Sequence, residues 1–370
     1  MKKQNIVLIG FRGCGKTTFG RALSKLTGLP FADVDTEIEF ILGESIEKFV
    51  AKHGFQVFRE VEQRVAHDFC RNFSGILATG SGTIENSKNF QNLKKTGTFV
   101  FLNPLFSNVK KYLLTLPAST FQRMNPAVSL SEDIDQMWNQ RKNIYSASAE
   151  VELEPKFGDP TAEMKRLLPL LSKYLPKAPP KKRIAILSSS HGTTFQGLLD
   201  AQKRGRIPNT EICLFVTDQP KCEALEKAKK AKIKSVEVLK AKPDISREEY
   251  DRALINVLRT QNPDLVLLAG WMRILSPLYC DQFGSVTLNV HPSLLPQFAG
   301  LMGDDVHQQV LEHEERYTGA TIHRVSKDVD KGETVLQRKV LVDKDDTVES
   351  LRKKVQKQEI LGFCEVLEKR

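Results

Sequence analysis

The sequence predicts an α/β protein of two domains, each built on a parallel sheet, and three observations carry that prediction. Short apolar runs alternate with amphipathic stretches from NIVLIG near the start to about residue 175. The segment LPKAPPKKR, Leu175 to Arg183, then replaces any apolar period with prolines and lysines, as a linker does. Beyond it the alternation restarts at RIAILSSS, and 370 residues are more than one compact core usually holds.

Taken in order, NIVLIG reads as a buried strand entering a glycine loop, and TTFGRALSKLTG as the helix after it. PFADVDTEIE sets Asp33 and Asp35 two apart, on one face if this is a strand end. GILATG and TFVFLN read as further buried strands. After the linker RIAILSSS, EICLFVTD, PDLVLLAGW and SVTLNV repeat the strand pattern, with EEYDRALINVLRTQN as an intervening helix. This implies a second parallel sheet, and the two loops differ too much in spacing for an internal repeat. The domains are expected at 1–175 and 181–370.

Composition narrows the function class. Hydrophobic content of 40% is ample for buried cores, and the net charge is +10. The basic residues are spread along helical stretches such as EALEKAKKAKIK without aromatic interleaving, so anionic small substrates are expected rather than nucleic acid. The six cysteines show no CxxC spacing, which suggests reduced thiols and a cytoplasmic setting. MKKQNIVLIGFRG breaks into a glycine loop instead of a cleavage site, and no run reaches membrane-spanning length. Oligomeric state is left open.

Gly10 to Thr17, GFRGCGKT, matches GxxxxGK[ST] between a strand and a helix, the context in which such a loop cradles phosphates. Glycines let backbone amides approach phosphate oxygens, Lys16 reaches the β and γ phosphates, and the Thr17 hydroxyl is a magnesium ligand. The run through PFADVDTEIE, with FREVE, GSG and the arginine of NQRKNIY, resembles shikimate kinase over roughly residues 1–175. The resemblance implies ATP contacts at Gly13, Cys14, Gly15, Lys16, Thr17 and Thr18, with Arg123 from the lid segment ASTFQRMNPAVSL. It implies Mg2+ at Thr17 and Asp33, with Asp35 meeting the acceptor's hydroxyls as a catalytic group beside Lys16. Arg59 and Arg141 would grip the shikimate carboxylate, Glu62 would orient Arg59, and Gly80, Ser81 and Gly82 would line the acceptor site. Ser81 stands where the family usually has a glycine.

NVHPSLLP, Asn289 to Pro296, with AGWMRILSP, DKG and QKQE, resembles phosphoribosylglycinamide formyltransferase from about Lys182 onward. Formyl transfer to an amine passes through a tetrahedral carbon bearing an oxyanion, and therefore needs aimed donors and a proton shuttle. Asn289 and His291, two apart on a strand end, can face the same way. By resemblance they stabilise the oxyanion, His291 in its protonated form, while Asp330 holds that charge and relays the amine's proton through water. The other family roles are phosphate binding by Gly192, Thr193 and Thr194, the glycyl amine at Glu359, and a pocket wall at Met272. Arg273 and Leu275 would meet the pteridine of 10-formyltetrahydrofolate, Arg247 its glutamate tail, and His323 the same neighbourhood. FAGLMGDDVHQQ departs from the usual spacing.

Methionyl-tRNA formyltransferase and formyltetrahydrofolate hydrolase share the SLLP chemistry, but normally carry a tRNA-binding barrel or an amino-acid-sensing domain, for which this chain offers no expected place. The resemblances imply a bifunctional transferase using ATP, Mg2+ and 10-formyltetrahydrofolate on shikimate and glycinamide ribonucleotide. These are steps of aromatic amino acid and purine biosynthesis. The alternatives are an active formyltransferase half beside a decayed kinase half, or a kinase half acting on another small hydroxylated acceptor.

Overall fold

A computed structural model of the chain describes residues 3–117, 125, 127–177, 180–207, 209–241 and 244–368. The chain divides into two compact units, residues 1–179 with 204–208, and residues 180–203 with 209–370. Among the described residues no helix is long and apolar enough to cross a membrane.

In the first unit the strands are β1 (Asn5–Ile9), β2 (Phe31–Asp33), β3 (Gly75–Ala78), β4 (Gly97–Leu102) and β5 (Val151–Leu153). Its helices are α1 (Lys16–Thr27), α2 (Val34–Leu42), α3 (Ile46–His53), α4 (Phe55–Asn72), α5 (Ser87–Thr96), α6 (Phe106–Thr115), α7 (Leu130–Ser148) and α8 (Pro160–Leu171). The sheet order is β2-β3-β1-β4-β5, every pair parallel. Such a sheet needs apolar residues on both faces. Val7, Ile9, Phe99 and Phe101 accordingly join Phe58, Phe69 and Trp138 in one cluster, while Ile6, Leu8, Val100 and Leu102 join Phe19, Leu23 and Met164 in another. Each large side chain so buried contributes roughly 1.5–3 kcal/mol. β1 lies between β3 on one side and β4 on the other, and the chain crosses it on passing from β3 to β4, so the crevice opens where the loops after β1, β2 and β3 end.

The second unit contains β6 (Lys182–Leu187), β7 (Thr210–Thr217), β8 (Val236–Val238), β9 (Leu265–Leu268), β10 (Thr287–His291), β11 (Tyr317–Arg324) and β12 (Thr334–Leu341). Its helices are α9 (Thr193–Lys203), α10 (Glu223–Lys230), α11 (Arg247–Gln261), α12 (Pro277–Phe283), α13 (Asp304–Glu312) and α14 (Val348–Glu368). The order is β12-β11-β10-β9-β6-β7-β8. β6 to β10 are parallel as expected, but β11 runs antiparallel to both β10 and β12, so the sheet is mixed. The link from β11 to β12 is too short for the helical crossover that parallel neighbours require, and the chain simply turns back. β12 and β8 are the outer strands. Strand order reverses about β6, so the loops after β6, β9 and β10 diverge around one crevice.

Candidate active sites

The first unit's crevice encloses about 1570 Å3. Gly10 has φ 144°, and a Cβ there would lie 2.7 Å from the Leu102 carbonyl oxygen, so only glycine lets β1 turn this close to β4. Gly13, Gly15, Lys16, Thr17 and Thr18 line the cavity. Cys14 is different: its side chain is buried in the core against α1, and burial raises its thiol pKa, leaving only its backbone for a phosphate. Lys16 Nζ donates to the Gly10 and Phe11 carbonyls, both at 2.9 Å, which preloads the ammonium against the loop. Arg123 lies outside the described residues.

Asp33 and Asp35 reach the crevice by a route other than a shared strand face. β2 stops at Asp33 because its Oδ1 accepts the Thr36 amide at 3.2 Å and caps α2, so Asp35 sits in that helix's first turn. The Thr17 hydroxyl donates to Asp33 Oδ2 at 2.6 Å. One hydroxyl and one carboxylate fit a Mg2+ that takes its remaining oxygens from phosphate and water, and among the described residues no cluster of three or more His, Cys, Asp or Glu offers a full protein cage. When bound, the ion would neutralise phosphate charge. Asp35 is pushed up to about 7 by burial first, then by the charges of Asp33 and Glu62. A base with that value is half protonated at neutral pH. For phosphoryl transfer in which Asp35 accepts the acceptor's proton, kcat/KM is expected to fall about tenfold per pH unit below 7. An Asp35→Asn variant should lose that limb of the pH profile along with most of its rate.

At the acceptor end α4 presents Arg59 and Glu62 one turn apart, Nη1 to Oε2 at 2.5 Å, and the Thr83 hydroxyl donates to the other Glu62 oxygen at 2.7 Å. Glu62 therefore does fix Arg59. Ser81 is accommodated without positive φ, its carbonyl accepting the Tyr145 hydroxyl at 2.6 Å and its Oγ standing 3.4 Å from Arg141 Nη1. Gly80 borders Asp35 closely, a Cβ there falling 2.7 Å from Oδ1. Two residues escaped the sequence reading. Tyr145 is one, and Glu85 is the other: it bonds Arg141 at 2.6 and 3.2 Å and stands 3.7 Å from Arg59. TIE after GSG carries no motif that would have singled it out.

The second unit's cavity, about 290 Å3, is lined by Gly192, Thr193 and Thr194 after β6, by Met272, Arg273 and Leu275 after β9, and by Asn289, His291, His323, Asp330 and Glu359. Asn289 pairs with His323 across β10 and β11, which aligns their side chains: Asn289 Nδ2 to His323 Nε2 is 3.1 Å. His323 Nδ1 faces the Arg324 carbonyl at 2.9 Å and donates to it. Asp330, held at φ 57° before Gly332, puts one oxygen 3.4 Å from His291 Nδ1 and the other 3.5 Å from His323 Nε2. Its carboxyl is kept below the ordinary range: burial opposes ionisation, but bonds from His323 and the Gly300 amide and the charge of His291 outweigh it. For His291 the balance is reversed. Burial lowers its proton affinity more than Asp330 and the Phe298 carbonyl raise it, so the free ring's pKa lies below the ordinary imidazole value.

The remaining contacts are less uniform. The Thr194 hydroxyl donates to Glu359 Oε2 at 2.7 Å and so holds the carboxyl, while Gly192, Thr193 and Thr194 stand together at the start of α9. Arg273 stacks on Tyr250 at 4.0 Å, and Leu275 packs in the adjoining core. Arg247 is exposed at the start of α11 and does not line the cavity, because the Ser246 cap turns the helix's first residue to solvent. Phe298, at φ 59°, supplies the carbonyl 3.1 Å from His291 Nε2, a role that FAGLMGDDVHQQ gave no sign of. Glu359 is pushed up to about 6 by burial. Since its folded value exceeds the unfolded one, the fold loses about 2 kcal/mol as pH rises through this range. Glu359→Gln keeps an acceptor for Thr194 and should regain roughly that amount near pH 7.5 but nothing near pH 4, read by thermal unfolding at both.

Comparison with known proteins agrees with this division. The shikimate kinase family model matches residues 12–170, and the formyl transferase family model matches residues 182–367. The chain is 38% identical over 176 residues to the phosphoribosylglycinamide formyltransferase of Escherichia coli K12, covering 48% of this chain and 81% of that protein. It is 36% identical over 189 residues to the trifunctional purine biosynthetic protein adenosine-3 of Chironomus tentans, covering 51% of this chain but only 14% of that protein. The human protein of that name is 38% identical over 177 residues, 17% of its length. A solved glycinamide ribonucleotide transformylase 1 from Symbiobacterium toebii is 35% identical, covers 51% of this chain and 86% of that one, and superposes with a TM-score of 0.47. The chain thus carries a shikimate kinase-like domain in its first half and, through its second, belongs to the formyl transferase family.

Proposed function

We propose that the second unit transfers a formyl group from 10-formyltetrahydrofolate to the amine of glycinamide ribonucleotide. The observation that supports this most is the meeting of Asn289, His291 and Asp330 in one small cavity between a helix N-terminus suited to phosphate and a buried carboxyl suited to an amine. In this reading the amine nitrogen bonds to the formyl carbon and the carbonyl oxygen becomes an oxyanion held by Asn289 and His291. The amine's proton leaves by water toward the Asp330 and His291 pair, and the folate C–N bond then breaks with that nitrogen protonated. His291, neutral at rest, becomes cationic as the oxyanion forms, when that charge is useful.

The first unit, in the same proposal, transfers the γ-phosphoryl group of ATP to a hydroxyl of a small acceptor, with Mg2+ at Thr17 and Asp33 and with Asp35 as base. Shikimate is the acceptor the family suggests. The engagement of both arginines by Glu85 favours a second reading, another small hydroxylated acceptor. The purified chain should form N-formylglycinamide ribonucleotide from the two formyl-transfer substrates. If it forms none while each substrate still binds, the formyltransferase reading is lost. ADP release with shikimate or other hydroxylated compounds tests the kinase reading separately.

A further inference from the structure

The acceptor end of the first unit contains a carboxylate in the position expected of a substrate. Glu85 follows the Gly80–Gly82 turn, and Arg141 grips it side-on: Nε donates to Oε1 at 2.6 Å and Nη2 to Oε2 at 3.2 Å. Oε2 lies also 3.7 Å from Arg59 Nη2, so one side chain engages both arginines assigned to the acceptor's carboxylate. Two parallel N–H···O bonds are the arrangement by which a guanidinium holds a free carboxylate.

Charge counting sharpens the point. Arg59 is already bonded to Glu62, so two guanidiniums face two carboxylates before any acceptor arrives. A third carboxylate would meet a neutralised pair and would have to displace Glu85 from a partly buried ion pair. The cluster is also sterically provided for. A Cβ at Gly82 would fall 2.3 Å from Arg59 Nη2 and 3.0 Å from Glu85 Oε2, so the glycine makes room for this pairing. Beside it the Ser81 hydroxyl, 3.4 Å from Arg141, offers a partner suited to a hydroxyl group.

Building on the kinase reading, we propose that Glu85 sets acceptor specificity by closing the Arg59 and Arg141 clamp to carboxylates, so that the first unit phosphorylates an uncharged polyhydroxylated acceptor. The test is calorimetric binding of shikimate and of its neutral methyl ester to the full chain with ADP and Mg2+, in wild type and in Glu85→Gln. Wild type is expected to bind the ester at least as tightly as the acid. Glu85→Gln keeps the shape, frees the guanidiniums, and should move the preference toward the acid by about tenfold or more. Glu85→Ala should move it the same way, and the wild-type preference needs no variant. A wild type that already prefers the acid, an equal preference in wild type and variants, or no binding of either compound overturns the proposal. Titration of nucleotide alone separates the two failures: if ADP and ATP also fail to bind, the kinase reading falls with it, and if they bind, only the role of Glu85 does.

Discussion

Replacing Asp330 by asparagine is expected to lower formyl-transfer turnover by about a hundred- to a thousandfold, the size of effect that follows loss of one positioned oxyanion donor. Asparagine preserves shape and, of the ordinary residues, tolerates the left-handed φ of 57° best, so the loop should hold. What disappears is the negative charge 3.4 Å from His291 and 3.5 Å from His323. Burial already discourages a proton on His291, and without Asp330 nothing on that side of the ring opposes it. The imidazolium then becomes inaccessible when the oxyanion needs it. His291→Ala should fall as far, and the double variant little further, because the pair acts as a unit. Steady-state turnover with glycinamide ribonucleotide and 10-formyltetrahydrofolate reads the effect, and equilibrium binding of each substrate should be nearly unchanged. An Asp330→Asn protein with wild-type turnover would reduce DVDKG to a surface turn.

Lys16→Ala is expected to abolish ATP-dependent phosphorylation, by at least about a hundredfold, and to leave formyl transfer nearly unchanged. The ammonium is the positive charge that the loop carbonyls of Gly10 and Phe11 hold ready at the phosphate end. Alanine leaves the glycine conformations intact, so the loss is electrostatic. The formyl-transfer residues all belong to the other compact unit, and sites without shared partners act independently. Coupled ADP release and formyl transfer, measured on one preparation, give both answers. Equal loss of the two activities would mean that the substitution had damaged the whole chain.

Much of this was legible because the chemistry is local in sequence. Gly10 to Thr17 encodes a strand, a turn and a helix start in one stretch, and Asn289 and His291 owe their common cavity to the two-residue period of β10. Features depending on who faces whom in space were not. Asp33 and Asp35 were brought together by an N-cap and not by a pleat, which the spacing alone does not distinguish. The bond from the Thr194 hydroxyl to Glu359, which α14 delivers from far along the chain, had no sign in the sequence around either residue. Glu85 and Phe298 lie in stretches without a motif and act through long-range contacts, one by charge and one by a backbone carbonyl. The antiparallel turn at β11 was hidden because its strands read like any other apolar run.

β12 has a consequence of a different kind. As an outer strand it leaves one row of backbone amides and carbonyls without a neighbouring strand among the described residues, and a bare row of this sort can recruit a strand from another molecule. Its sequence, TVLQRKVL, sets Gln337 and Lys339 at exposed positions, while Arg338 is tied down by Glu365 at 2.9 Å. An intruding strand would have to strip water from the Lys339 ammonium, and a second copy of β12 would bring its own lysine with it. This edge of the sheet thereby resists fibre-like stacking at high concentration.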